Sequence, residues 1–308
     1  MLIFFSLSLK PMPVNPPAAK RKSAATPFKK GALQDALLTA YQDLAPLENP
    51  RLDAEILLAH VLKKPRSFLL AWPEQMLTVE QSQQFLRLLE YRLEGKTIAH
   101  ILGEKEFWSL SLEVTQDTLI PRPDTELLVE RVLHTLPADI PQTVADLGTG
   151  SGAIALAIAK ERPHWQIIAT DNYPATLAVA RRNADKLSLK NVTFYAGDWC
   201  EALPPGLLHA VISNPPYIAF GDPHLLSPEL SCEPHHALVS GHDGLQALNI
   251  IIEQAHKHLA QDGWLFLEHG FDQALAVREK MKKAGYKNSC TYRDLGENPR
   301  VTVGQKKA

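Results

Sequence analysis

Cysteine is scarce in this chain. Of 308 residues only three are cysteine (Cys200, Cys232 and Cys290), widely spaced and with no CxxC pair. An odd, scattered set excludes a disulfide framework and points to a reducing compartment, read here as the cytoplasm. Net charge is lacking too, with 32 Lys and Arg against 34 Asp and Glu, a formal −2. No global attraction to nucleic acid or an anionic membrane follows from that balance. No apolar run approaches the roughly 20 residues needed to span a bilayer. Internal repeats are missing as well, which removes solenoids. What the chain does have is apolar substance: 45% hydrophobic residues over 308 build a sizeable core and suggest two domains.

Residues 1–30 stand apart. Residues 2–9 are apolar with no basic residue ahead of them, and a Pro/Lys-rich stretch follows, from Lys10-Pro11 to Lys29-Lys30. A secretory signal needs a positive start, which is missing, although Ala18-Ala19 or Ala24-Ala25 imitates a cleavage site. Pro11, Pro13, Pro16 and Pro17 prevent a stable helix, so a disordered extension is expected, or an overlong start with Met12 the true beginning.

From 31 to 105 the apolar period is helical. Leu33, Ala36, Leu37 and Tyr41 form one stripe; Ala54, Ile56, Leu57, Ala59, His60 and Leu62 form a more apolar helix, with Asn49-Pro50 breaking between them. Thr78 with Gln81 predicts a capping box opening a helix through Phe85, Leu88, Leu89 and Leu93. No catalytic spacing occurs here, and a small all-α docking domain or lid is expected. Residues 106–140 change character to a hairpin and linker. Leu110, Leu112 and Val114 alternate with polar residues at the strand period. Asp124 or Thr125 is expected to cap a helix carrying Leu127, Leu128, Val132 and Leu133, with Arg122 and Glu126 as surface charges around the turn.

Residues 141–308 alternate strand and helix. Strands are expected over 143–147, 166–170, 192–195, 209–213 and 264–268, with helices over 153–161, 175–186, 245–259 and 273–284. Such alternation predicts a parallel, doubly wound α/β sheet, and 288–292 with 300–303 adds an antiparallel pair at one edge. The total is seven strands, mostly parallel.

Chemistry gathers at strand ends. The first strand runs into Asp146-Leu147-Gly148-Thr149-Gly150-Ser151-Gly152-Ala153 and then a helix. Gly148, Gly150 and Ala153 satisfy a dinucleotide fingerprint, whereas Gly148, Gly150 and Gly152 suit the nucleoside loop of S-adenosylmethionine (AdoMet) enzymes. Asp171 ends the second strand in either case, where a carboxylate accepts from ribose hydroxyls. Gly197-Asp198-Trp199 follows the third, with an indole able to border an adenine or to pack at the sheet edge.

After the fourth strand comes Ser213-Asn214-Pro215-Pro216-Tyr217. Consecutive prolines fix φ and remove two donors, and the residue before a proline is held extended. The product is a stiff ledge of acceptors, the Asn214 oxygen and the Pro215 carbonyl, beside the aromatic plate of Tyr217. A planar NH2 group fits it. Four loops with ligand-binding character on the carboxyl side of one sheet decide for a nucleotide-like cofactor beside an NH2-bearing substrate.

The glycine loop with Asn214-Pro215-Pro216-Tyr217 resembles the class I AdoMet-dependent amino-group methyltransferases. Ile120-Pro121-Arg122-Pro123-Asp124-Thr125-Glu126, Glu233-Pro234, Leu267-Glu268-His269-Gly270 and Asn298-Pro299-Arg300-Val301-Thr302 narrow the resemblance to HemK/PrmC-type protein-(glutamine-N5) methyltransferases. It covers roughly residues 34–304. The resemblance implies the Rossmann-like class I fold, AdoMet as cofactor, and class I peptide chain release factors as partners, modified at the glutamine of a Gly-Gly-Gln loop. It also implies a monomer that makes no sequence-specific contact with nucleic acid. Gly148, Thr149, Gly150, Ser151 and Gly152 would bend around the methionine end, Asp171 would hold the ribose, and Trp199 and Asn214 would complete the cofactor site. Asn214 and Pro215 would accept from the glutamine amide under Tyr217, with Pro216 in the ledge. Phe107 and Arg122 would lie at the wall between helical domain and pocket. Cys200 and Cys232 stand where relatives place aromatics, which would loosen the pocket's packing.

No metal is expected: Cys232, His235, His236 and His242 could in principle gather zinc, but neighbouring histidines rarely point at one ion. His269 reads as structural. Two other methyl acceptors fit the same ledge, a ribosomal-protein glutamine and an adenine N6. The turn at 120–126 favours the release factor over the ribosomal protein, and the charge balance disfavours the adenine. An NAD-dependent oxidoreductase shares the glycine loop but leaves Asn214-Pro215-Pro216-Tyr217 without a role.

Overall fold

The computed structural model describes residues 31–227 and 230–307. The expected N-terminal extension lies outside the described residues. Helices come first: α1 (Leu33–Asp43), α2 (Pro50–Leu62), α3 (Arg66–Ala71), α4 (Val79–Leu93) and α5 (Ile98–Leu102). Pro50 occupies the first turn of α2, where its missing N–H costs nothing. Thr78 and Gln81 make both bonds of the capping box that opens α4. Leu33, Leu57, Leu58, Phe85 and Leu89 share one core. Inside it, Arg92 Nε donates to Asp53 Oδ2 at 2.7 Å, binding α4 to α2.

A hairpin follows, β1 (Glu104–Phe107) and β2 (Leu110–Glu113), opening two residues before the boundary expected from sequence. Its turn is Trp108-Ser109, both with positive φ (50° and 56°), the twist a two-residue hairpin demands. Glu126 steadies that strained tryptophan by accepting its backbone N–H at 2.9 Å, so Glu126 is a turn brace rather than a free surface charge. Leu110, Leu112 and Val114 are buried, as the alternation required.

Then α6 (Glu126–Thr135), β3 (Thr143–Leu147), α7 (Ala153–Glu161), β4 (Gln166–Asp171), α8 (Pro174–Lys186), β5 (Val192–Ala196), β6 (Leu208–Ser213), α9 (Gln246–His258), β7 (Leu259–Glu268), α10 (Ala274–Lys283), β8 (Tyr286–Arg293) and β9 (Pro299–Lys306) complete the chain. They build a seven-stranded sheet of order β5-β4-β3-β6-β7-β9-β8. The first five in that order are parallel; β9 pairs antiparallel with both β7 and β8. The α/β doubly wound expectation and its antiparallel edge are both observed. β7 begins earlier than expected, at Leu259, through an irregular stretch in which Asp262 has φ 62°.

Period-2 burial explains the layering. Along β6, Ala210 and Ile212 face a core with α6, α7 and α8, whereas Val211 faces a second core with α9 and α10. Neither Asp124 nor Thr125 caps α6 with its side chain, contrary to expectation, because a 3₁₀ turn (Pro123–Thr125) precedes that helix and both side chains are engaged elsewhere. The chain order reverses between β3 and β6, the switch point where open sheets bind ligands.

Candidate active site

At that switch point β3 ends and the glycine loop begins. Gly148, Gly150 and Gly152 have φ of 68°, 60° and 88°, left-handed values that a side chain resists. A Cβ on Gly148 would meet the Trp199 ring at 3.3 Å, and one on Gly152 would meet Leu156 at 3.0 Å. At Gly150 it would meet nothing within 4 Å, because that backbone faces open space. Asp146, which sequence reading left without a role, holds the loop from below. Its Oδ2 accepts from Thr149 Oγ1 at 2.6 Å and from the Ala155 N–H in the first turn of α7 at 3.2 Å. Full burial pushes its carboxyl up to about 7. Thr149 and Ser151 turn their side chains inward, so only Gly148 and Gly150 of the loop line the cavity.

Asp171 braces the same loop. Its Oδ2 accepts the Gly150 N–H and its Oδ1 the Tyr173 N–H, each at 3.0 Å. Burial raises its pKa, while those two backbone bonds and His236 nearby pull it down. Trp199 sits in a 3₁₀ turn after Gly197, half-buried against Gly148. Across the mouth, Tyr173 and His236 stack with ring centroids 3.5 Å apart, an aromatic pair not anticipated from sequence.

The opposite wall is the ledge. Ser213 Oγ donates to the Leu147 carbonyl at 2.7 Å, tying the end of β6 to the end of β3. Asn214 Nδ2 donates to Thr125 Oγ1 at 3.1 Å, which leaves the amide oxygen as its free acceptor. Tyr217 lies outside the lining. Its phenol donates to Glu268 Oε1 at 3.5 Å and its carbonyl accepts from Gln273 Nε2 at 2.9 Å. A buried phenol seeks a polar partner, and the carboxyl behind the ledge supplies one.

Gly148, Gly150, Asp171, Trp199, Asn214, Pro215 and Pro216 thus line one cavity of about 360 Å³, within the size range of small-ligand sites. Phe107 and Arg122 do not line it. Phe107 is 1% exposed, in the core with Leu110, Leu112 and Leu128, because its position in the hairpin points inward. Arg122 pairs with Glu233, whose side chain is fully buried. That pair joins the turn before α6 to the Glu233-Pro234 loop. Arg300 reaches Asp294 at 3.1 Å and Asp124 at 3.5 Å.

Neither Cys200 nor Cys232 lines the cavity. Cys200 is packed with Leu147 and Leu248, burial pushing its thiol up to about 12, and Cys232 Sγ donates to the Gly95 carbonyl at 3.5 Å. His242 sits edge-on to Phe220 while His236 lies on Tyr173, so these side chains diverge. Among the described residues no group of three His, Cys, Asp or Glu could hold a metal. His269 is structural, its Nε2 2.7 Å from Thr302 Oγ1.

Residues 35–103 match the PrmC N-terminal domain family and residues 123–229 the methyltransferase small domain family. The release factor glutamine methyltransferase of Coxiella burnetii is 49% identical over 276 residues, covering 89% of this chain and 99% of the relative. The Escherichia coli protein of the same name is 48% identical over 272 residues, covering 88% and 98%. That of Pseudomonas aeruginosa is 50% identical over 255 residues, covering 83% and 92%. A solved Pyrococcus furiosus methyltransferase superposes with TM-score 0.50 at 19% identity, over 74% of this chain and 100% of that one, a likeness of fold.

Proposed function

The chain belongs to the release factor glutamine methyltransferase family, and we propose that it methylates class I peptide chain release factors. The acceptor is the side-chain amide nitrogen (N5) of the glutamine in the Gly-Gly-Gln loop, and the donor is S-adenosyl-L-methionine. One observation carries this: the Asn214-Pro215 acceptors and the glycine loop face each other across a single cavity.

The lining suits AdoMet. Gly150 offers backbone with no atom where a Cβ would stand, Asp171 keeps lone pairs for ribose hydroxyls, and Trp199 gives a flat edge for adenine. When bound, AdoMet supplies a methyl on a sulfonium that is already an activated leaving group. This chain's residues do the positioning. An amide nitrogen is a poor nucleophile, its lone pair delocalised into the carbonyl. Asn214 Oδ1 and the Pro215 carbonyl accept hydrogen bonds from its two N–H groups, enrich the nitrogen and aim it, an arrangement worth on the order of several kcal/mol of the barrier. Tyr217 backs the ledge. The amide proton then leaves to water.

In this reading residues 31–105 dock the release factor and residues 141–308 perform the transfer. The enzyme works as a cytoplasmic monomer without sequence-specific nucleic-acid contact. The near-balanced charge supports the lack of nucleic-acid contact. Among the described residues no helix is long and apolar enough to cross a membrane.

The test is acceptor choice. Labelled AdoMet is offered with a release factor, its loop Gln→Ala variant, ribosomal protein and duplex DNA. Only the first should take label. Equal labelling of the variant removes the glutamine, and salt-sensitive labelling of DNA moves the assignment to adenine.

A further inference from the structure

Asp146 and Asp171 are not alone in holding the glycine loop. They bind Thr149 and Gly150, while Asn183 on α8 binds Ser151. Asn183 is 1% exposed and does not line the cavity. Its Nδ2 donates to the Ser151 carbonyl at 2.9 Å and to the Glu113 carbonyl at 3.0 Å. Its Oδ1 accepts the Glu113 N–H at 2.7 Å. One amide thus clasps the end of β2 and the glycine loop together.

The partners dictate the residue type. A primary amide has one acceptor atom and two N–H donors, and here it meets one N–H and two carbonyls. Those partners also fix which way the amide faces. Aspartate has no proton for the carbonyls, serine has only one, and glutamine is a methylene too long. Asparagine is one of the weaker helix formers, so the helix itself does not ask for it.

Ser151 is where the loop needs a tie from outside. Gly152 has φ 88°, and glycine takes either hand, so local sterics do not fix the Ser151–Gly152 peptide. Two hydrogen bonds set it. The Gly152 N–H donates to the Thr149 carbonyl at 2.9 Å, and the Ser151 carbonyl accepts from Asn183. Gly150, which borders the cavity, is the next residue along.

The other end of the clasp leads toward the helical domain. The Val114 N–H donates to the Gly103 carbonyl, just past α5, at 3.1 Å. Beyond β2, Asp117 and Leu119 line the cavity, and the Asp117 carbonyl accepts from Thr176 Oγ1 of α8 at 2.7 Å. Through α8 the hairpin, the cavity wall after it and the glycine loop are registered against one another.

We infer that Asn183 is a positioning residue for the cofactor site: it fixes the Ser151 peptide against β2, so the glycine loop takes its binding shape only with the hairpin in place. The inference deepens, and rests on, the reading of the cavity as the AdoMet site.

Asn183→Asp keeps the shape and the acceptor but sets a carboxylate oxygen against two carbonyls. Asn183→Ser removes the tie without adding charge and, as the milder change, carries the test should Asn183→Asp fail to fold. Arg182→Ala is the control: it breaks the exposed 2.7 Å pair with Glu113 on the same seam and leaves Ser151 held. On the full chain, AdoMet affinity is measured by calorimetry, melting temperature with and without AdoMet, and kcat and KM with a release factor. Both Asn183 variants should bind AdoMet about tenfold or more weakly, the scale of one lost buried hydrogen bond. Their kcat at saturating AdoMet should stay within a few fold of wild type, the pattern of a lost binding interaction. Arg182→Ala should bind AdoMet as wild type does. Lower stability with unchanged AdoMet affinity in the Asn183 variants, or an equal loss of affinity in Arg182→Ala, overturns the inference alone. A wild-type chain that binds no AdoMet overturns the cofactor reading and the inference together.

Discussion

Arg122 closes on Glu233 across 111 residues of sequence, joining the turn before α6 to the loop that follows the ledge. The same carboxylate accepts the Ile120 N–H through Oε2 at 3.4 Å. The pair brackets the cavity without entering it. Arg122→Ala takes the guanidinium away from a buried carboxylate. It should cost about 2 kcal/mol, below the ~3–5 kcal/mol of a wholly buried pair because the arginine side chain is 35% exposed. Chemical denaturation checks this; an unchanged midpoint would make the pair incidental.

Gly150 and Gly152 separate binding from folding within one loop. Gly150→Ala pays for a left-handed φ, about 1–2 kcal/mol, but meets no neighbour within 4 Å. Its methyl would occupy space where the cofactor must approach. AdoMet affinity measured by calorimetry should fall about tenfold or more, the equivalent of about 1.4 kcal/mol, in a folded protein. Gly152→Ala strikes Leu156 and Ala180 instead and should appear chiefly as lost stability.

Phe107→Ala tests the inward position of that ring. Truncating a phenylalanine this buried costs about 3–5 kcal/mol. Molecules that remain folded should keep their KM for release factor. A raised KM at unchanged stability would return Phe107 to the pocket wall.

Asp146 gives a pH signature. Burial raises its carboxyl from 3.8 to about 7, so the folded chain retains a proton that the unfolded chain has released between those values. The unfolded state then binds fewer protons, and stability falls as pH rises through that window and levels off above it. Glu268, raised from 4.5 to about 7, acts in the same sense. Denaturation midpoints against pH should fall less steeply in Asp146→Asn than in wild type. An identical slope would mean that Asp146 is ionised without strain.

Local patterns revealed the fold because each is written in neighbouring residues. The capping box at Thr78 and Gln81, the alternation at Leu110 and Leu112, and the glycines at 148, 150 and 152 need only short range to be read. The cavity was legible for the same reason: its walls are strand ends, and Gly148, Asp171, Trp199 and Asn214 each end or follow a strand. Asp146, Thr125 and Glu268 escaped because their partners lie on other elements. Thr125 read as a cap until Asn214, 89 residues away, took its oxygen. Glu268 ends the fifth parallel strand as Asp171 ends the second, a signal that was present and unused. Arg122 and Glu126 read as surface charges since nothing near them in sequence names Glu233 or Trp108 as partners.

The central claim is tested most directly by locating the methyl group. A release factor incubated with AdoMet and the purified chain is digested and sequenced by mass spectrometry, with wild type and Asn214→Ala side by side. Wild type should add one methyl to the glutamine of the Gly-Gly-Gln loop, on its amide nitrogen. Asn214→Ala should add none while binding AdoMet within a few fold of wild type. A methyl on any other residue, or a loss of AdoMet binding as large as the loss of transfer, would contradict the account.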